Sequence, residues 1–196
     1  MDSNIKINIK NSIAHISDIH VRYGSRHEEY RQVFSKTIDK LKIQKPRRIV
    51  LTGDLFHIKI TLSPNAVILA GEFIEELSQI APVDILLGNH DLNLQSLSQG
   101  NAVDPIIKLL KNGYYITKES SKIPEHKGEN FGIYFFKESG FYEIEEDLVY
   151  GIYSCLDNEI ISLTKKEPNK KYIALYHGPV YGCRGDNGQE LKGEEL

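Results

Sequence analysis

The spacing of apolar residues divides the chain into a regular first half and a β-leaning second half. Ile5, Ile7 and Ile9 alternate with polar residues, which predicts an edge strand and not a signal peptide. Ile13-Ala14-His15-Ile16-Ser17 is a second short strand-like run. A helix is predicted over residues 27–43, because Tyr30, Phe34, Ile38 and Leu41 recur at three- and four-residue spacing and give one buried face. Pro46 closes that unit, and residues 48–52 form the next strand, followed by a loop over 56–61. Ser63-Pro64 has the cap-then-proline order of a helix start, and Val67, Ile68, Phe73, Ile74 and Leu77 carry that helix to about Ile80. Pro82 leads into Val83-Asp84-Ile85-Leu86-Leu87, a short buried strand ending at Gly88. This β-α-β-α-β order calls for parallel strands with right-handed crossovers.

After Gly88 the pattern changes. A short helix near residues 104–110 ends before Asn112-Gly113. Strand-like runs follow at 114–117, 131–136, 141–144 and 148–154, split by Gly-, Lys- and Glu-rich turns. Residues 160–163 read as one or two helical turns, and 171–176 as a last strand running into His177-Gly178-Pro179. There is no internal repeat and no linker. The expected architecture is one α/β domain over residues 1–196: a two-sheet sandwich flanked by helices, with a parallel-biased first sheet and a second sheet built from the later strands.

Length and composition fit this picture. A chain of 196 residues, 40% hydrophobic and 26% charged, is long enough to bury a core as a single soluble domain. No apolar run approaches the roughly 18 residues needed to cross a membrane. Cys155 and Cys183 have no zinc spacing and no framework, so a reducing, intracellular setting is the simpler reading. The net charge of -3 excludes polyanion binding by bulk electrostatics. Charge is uneven, however: from Arg22 to Arg48 there are nine basic residues against three acidic ones. That stretch is either a solvated helix face or a path for a phosphate backbone, with Arg22, Arg26 and Arg31 nearest the first acidic motif.

Candidate chemistry sits at three strand ends: Asp18-Ile19-His20, Gly53-Asp54-Leu55-Phe56-His57 and Gly88-Asn89-His90-Asp91. The first residues of metal-ligand type in these motifs lie 36 and 35 positions apart, about one βαβ unit each, so the three should return to the same sheet edge. Asp18, His20, Asp54, Asn89 and His177 together supply hard oxygens and imidazole nitrogens. That mixture suits manganese, iron or zinc better than calcium. One carboxylate bridging two cations about 3.5–4 Å apart makes a water between them nucleophilic, and Asp54, on the middle motif, is the natural bridge. His90 is assigned to substrate, where it protonates the leaving oxygen or stabilises its charge. Asp91 either orients that imidazole or starts an Asx turn. His57 borders the metals. A lone Asp is more often a helix cap and a lone His more often structural, and His15, His27 and His126 keep that reading.

These motifs, with the later His177, resemble the signature of the calcineurin-like metallophosphoesterases over nearly the whole chain. Within that family, Leu55-Phe56-His57 followed by Ser63-Pro64 resembles the DNA-repair nuclease branch. Its SbcD-type subunits, phage recombination endonuclease subunits among them, work with a coiled-coil ATPase. The region from Tyr176 to Lys192 also resembles the phage-type members. The resemblance implies two divalent ions, with manganese as the working ion and iron, zinc or magnesium as alternatives. Asp18, His20 and Asp54 would hold one ion, and Asp54, Asn89 and His177 the other. His90 would act as general acid or transition-state stabiliser and His57 as a phosphate-positioning residue. Also implied are in-line cleavage of DNA, an ATPase partner, a homodimeric assembly and a cytoplasmic location (the host cytoplasm for a viral member).

One part of the family pattern is missing. A further Gly-x-His-like motif supplies the remaining imidazole ligands, and no histidine follows His177. The expectation is therefore a domain truncated at its C-terminus, with three protein ligands per ion and an unpaired neighbour beside the last strand. Two rival functions follow: a phosphatase or phosphodiesterase on a small molecule or phosphoprotein, and a catalytically impaired fragment that keeps the fold.

Overall fold

The computed structural model describes residues 11–22, 24, 26–57, 63–92, 100–120, 122–157, 159, 161–162, 166–184 and 188–190. The N-terminal alternation at Ile5, Ile7 and Ile9 lies outside them. So do parts of the loop expected over 56–61, of the turns expected over 160–163, and of the tail. The element order is β1 (Ile13–Ile16), α1 (His27–Gln44), β2 (Arg48–Thr52), α2 (Pro64–Ser78), β3 (Val83–Leu86), α3 (Asp104–Leu109), β4 (Gly113–Ile116), β5 (Ile133–Phe136), β6 (Gly140–Glu145), β7 (Leu148–Tyr153) and β8 (Lys171–Tyr176).

Five strands form one parallel sheet in the order β1-β2-β3-β5-β4, and three form a second sheet in the order β6-β7-β8. This corrects the expected division of strands: β4 and β5, from the second half of the chain, belong to the first sheet. The reason lies in β5, where Ile133, Tyr134, Phe135 and Phe136 are all buried. A strand apolar on both faces needs cover on both sides, which a central position in a parallel sheet provides. Ile133 and Phe135 face the helices, while Tyr134 and Phe136 face the second sheet. The layers are thus helices, parallel sheet, second sheet.

The three described helices all pack on one side of the parallel sheet. α1 contributes Phe34, Ile38 and Leu41, as its periodicity predicts, and Phe34 stacks on Phe73 of α2 with ring centroids 3.9 Å apart. Ser63 caps α2 by accepting a hydrogen bond from the Ala66 N–H at 3.1 Å, with Pro64 just inside the start. Ser63→Ala is expected to lower stability by about 1 kcal/mol in urea denaturation, with no change in the slope of the transition. Between the sheets, Tyr142, Tyr150, Ile152 and Leu175 meet Val50, Leu86, Tyr134 and Phe136.

β8 lies at the edge of the second sheet and, among the described residues, pairs only with β7. No helix among the described residues is long and apolar enough to cross a membrane.

Candidate metal centre

In the parallel sheet Ile16 is level with Leu51, and Thr52 with Leu86, so β1, β2 and β3 end side by side. The chain after β1 stays in register with the chain after β2. The Asp18, His20 and Val21 N–H groups donate to the carbonyls of Gly53, Asp54 and Leu55 at 3.3, 2.9 and 2.8 Å. Asp18, His20 and Asp54 all adopt left-handed backbone conformations, with φ of 56°, 51° and 53°. Such angles are uncommon for non-glycine residues and cost of order 1–3 kcal/mol each, so the surrounding bonds must hold them. Tyr30 of α1 contributes by donating its hydroxyl to the His20 carbonyl at 2.6 Å.

Gly53 has φ 73°, and a Cβ there would stand 2.5 Å from the Gly88 backbone and 2.8 Å from the His177 ring. A Cβ on Gly88 would run into the Asp54 carboxylate. The two glycines therefore let the strand ends close on one another.

The buried Asp54 carboxylate is the centre of the cluster. His177 Nε2 lies 3.3 Å from its Oδ2 and His20 Nε2 lies 3.5 Å from the same oxygen, while Asp18 stands 3.6 Å from His20 Nε2. The His90 N–H donates to Asp54 Oδ1 at 2.8 Å. Burial pushes the Asp54 carboxyl up. His177 and the His90 N–H more than offset this and hold it below the usual carboxylate range. Asp54 in turn raises the His177 imidazole, against the effect of its burial.

Donor atoms gather in two groups that share Asp54. One is Asp18, Asp54 and His177, the other His20, Asp54 and His90, and within each the ligand atoms lie within 4.8 Å of one another. Asp18 lies within reach of His20 Nε2, at 3.6 Å, as in the implied set of Asp18, His20 and Asp54, and it also gathers with His177, while the His90 ring, assigned to substrate, gathers with His20. Asn89 is half-buried in the turn between Gly88 and His90.

The tautomers fit a metal. His177 Nδ1 lies 2.7 Å from the Thr52 carbonyl, and His90 Nδ1 lies 2.9 Å from the His57 carbonyl. A carbonyl accepts, so both Nδ1 atoms carry the proton and both Nε2 atoms are left for a ligand. Metal-binding histidines are commonly fixed in this way.

Asp91 departs from expectation. It does not orient His90, whose ring nitrogen is held by His57. Its Oδ1 accepts from the Phe56 N–H at 3.1 Å and its Oδ2 from the Gly88 N–H at 3.0 Å. The carboxylate thus ties the loop after β2 to the loop after β3, and burial pushes its pKa up to about 6. Asp91→Ala would strand buried N–H groups, and a loss of about 2 kcal/mol is expected in thermal or urea unfolding.

His57 stands edge-on to His20, with ring centroids 5.5 Å apart, and is half-buried. Desolvation first, then nearby Arg22, lower its pKa. The three histidines read as structural do have structural partners. His15 Nε2 meets Thr52 Oγ1 at 2.5 Å, His27 Nε2 meets the Arg22 carbonyl at 2.8 Å, and His126 Nδ1 meets the Tyr114 hydroxyl at 2.8 Å. Burial pushes the Cys155 thiol up to about 12, which leaves it protonated and unreactive.

Four of the nine basic residues in this stretch are paired with carboxylates among the described residues. Arg26 pairs with Glu29 at 2.5 Å, Arg31 with Glu72 at 2.6 Å and Arg47 with Asp147 at 2.7 Å. Arg48 is 4% exposed and pairs with Asp84, so it cannot reach a phosphate. Arg22 stays exposed beside His57.

Two comparisons bear on this arrangement. A family model described as calcineurin-like phosphoesterase matches residues 12–195. The chain is also 36% identical over 196 residues to uncharacterized protein R555 of Acanthamoeba polyphaga mimivirus. That match covers 94% of this chain and 13% of the relative, so the chain spans only a small part of the relative's length.

Proposed function

The chain belongs to the calcineurin-like phosphoesterase family, a family of metal-dependent phosphoester hydrolases, and from this we propose that it is a phosphodiesterase acting on DNA, of the SbcD nuclease type. The observation that carries the metal-dependent part is the Asp54 carboxylate, common to both donor groups and set where three strand ends meet. Support for DNA as substrate comes from Leu55-Phe56-His57 followed by Ser63-Pro64, the variant that resembles the nuclease branch.

Asp18, His20, Asp54, Asn89 and His177 would hold the divalent cations, Asp54 being the residue common to both donor groups. When bound, such cations activate water and neutralise charge on the phosphoryl oxygens. The chain's own groups do the rest. His90 is oriented by the His57 carbonyl through its Nδ1–H, and when Nε2 is protonated as well, in the imidazolium form, Nε2–H passes that proton to the leaving oxygen and returns the ring to the Nδ1–H tautomer. His57, whose imidazole desolvation and Arg22 shift toward the neutral form, donates to a phosphoryl oxygen and sets its position. Asp91 acts at a distance, by fixing the two loops that carry Asp54 and His90.

The test is cleavage of end-labelled linear DNA by this chain with manganese, and again with a chelator. Manganese-dependent cleavage abolished by chelation is the expected result. Hydrolysis of simple aryl phosphates without action on DNA would replace the nuclease by a phosphatase. No hydrolysis of either would overturn the enzymatic reading.

A further inference from the structure

Beside Asp18, between the end of β1 and α1, a cavity of about 370 Å³ opens over an apolar floor of Ile16, Ile19, Tyr30 and Phe34. Its mouth carries Arg26 and Glu29, which neutralise each other. A second cavity of about 540 Å³ continues from it along α1 and shares Ile16, Val33 and Thr37 with the first. The two form one trough that starts at a candidate metal ligand and runs down the first helix. The walls differ along its length. Near Asp18 they are aromatic and apolar, and farther along they include Lys36 and Lys40.

The exposed lysines of the basic stretch are Lys36, Lys40, Lys42 and Lys45, and of these Lys36 and Lys40 line the second cavity. Arg26, Arg31, Arg47 and Arg48 are each paired with a carboxylate. Lys36 and Lys40 are exposed, one helical turn apart on the trough side of α1, and no ion pair to either is found among the described residues. Val33, which lies in both cavities, is 58% exposed and adds apolar surface to the trough.

An apolar, aromatic-walled pocket next to the reacting centre, continued by spaced ammonium groups, has the chemistry of a track for one strand of nucleic acid. Bases settle on apolar and aromatic surface, and the backbone follows positive charge. A small phosphoester would have no use for the distal half. We propose that the trough between β1 and α1 binds single-stranded DNA, with a base next to the scissile phosphate in the cavity beside Asp18 and the following phosphates along Lys36 and Lys40. The proposal rests on the nuclease reading and adds to it a substrate form and the surface that receives it. Arg31 and Arg48 drop out of the interface, because each is already paired.

The experiment is fluorescence anisotropy of a labelled oligothymidylate with the full chain, without divalent cations, across a salt series. Lys36→Glu combined with Lys40→Glu is expected to weaken binding on the order of tenfold or more. The dependence of log affinity on log salt should become shallower by about 1.4, since each phosphate contact on a single strand accounts for about 0.7. Thr37→Trp, which fills the junction of the two cavities without changing charge, is expected to weaken binding several-fold with the salt slope unchanged. Hydrolysis of bis(p-nitrophenyl) phosphate with manganese, by the wild type and all variants alike, separates this inference from the proposed function. If no chain hydrolyses it, the proposed function fails. If hydrolysis persists but neither variant weakens oligothymidylate binding, the trough proposal is overturned.

Discussion

Replacing Asp54 with alanine is expected to remove divalent-cation binding and to lower phosphodiester hydrolysis on the order of a thousandfold or more. No other side chain belongs to both donor groups. Its Oδ2 faces His20 and His177 at 3.5 and 3.3 Å, and its Oδ1 receives the His90 N–H. Without it both groups fall to two donors, and the turn that presents His90 loses its anchor. Asp54→Asn keeps the shape and an acceptor for His90 but removes the charge, so it should stay folded and still fail to bind manganese tightly. Calorimetric titration with manganese, beside thermal unfolding and hydrolysis of bis(p-nitrophenyl) phosphate, separates these effects. Manganese binding in Asp54→Ala at the wild-type affinity would show that the ions are held elsewhere.

The largest effect on stability is expected at Asp84. Its carboxylate is fully buried within β3 and receives Arg48 Nε at 2.7 Å, Arg48 Nη2 at 2.6 Å and the Tyr150 hydroxyl at 3.0 Å. Burial pushes this carboxyl up, while the guanidinium opposes that pull. Burial likewise works against the charge on Arg48, and Asp84 overrides it, so Arg48 is held above its ordinary value. With three donors on it, the pair stands as carboxylate and guanidinium. Because Arg48 is on β2 and Tyr150 on β7, this cluster also joins the two sheets.

Asp84→Ala leaves the buried Arg48 with only the more distant, partly exposed Glu145, 3.5 Å from its Nη1, and about 3 kcal/mol of stability should be lost. Replacing both members, as in Arg48→Met with Asp84→Leu, removes both desolvation costs and should cost far less than the single change. Urea denaturation of the two variants decides this. Equal losses in both would mean that packing, and not the uncompensated charge, governs the site.

Much of the site was legible because local pattern and distant geometry agree in the first half of the chain. Helical spacing over α1, the Ser63-Pro64 start of α2 and the three short apolar runs fix a β-α-β-α-β order. Parallel strands then bring Asp18, Asp54 and Asn89 to one sheet edge. The second half was less readable. Ile133 to Phe136 is apolar throughout, and such a run does not say which sheet will cover it. Long-range side-chain partners were also hidden. Nothing in the sequence marks Arg48 as the buried partner of Asp84, or Tyr30 as the donor to the His20 carbonyl. Asp91 follows His90 directly, which points to a role beside that ring. Its oxygens instead turn back to the Gly88 and Phe56 N–H groups, a choice made by the approach of two loops 35 residues apart.

The measurement that bears most directly on the account is anomalous scattering from crystals of this chain grown with manganese. Two peaks about 3.5–4 Å apart, both within ligand distance of the Asp54 carboxylate, are predicted. Further contacts should come from Asp18, His20, Asn89 and His177, and the His90 Nε2 should stay free to meet substrate. A single ion away from Asp54, or no ion at the ends of β1, β2 and β3, would contradict it.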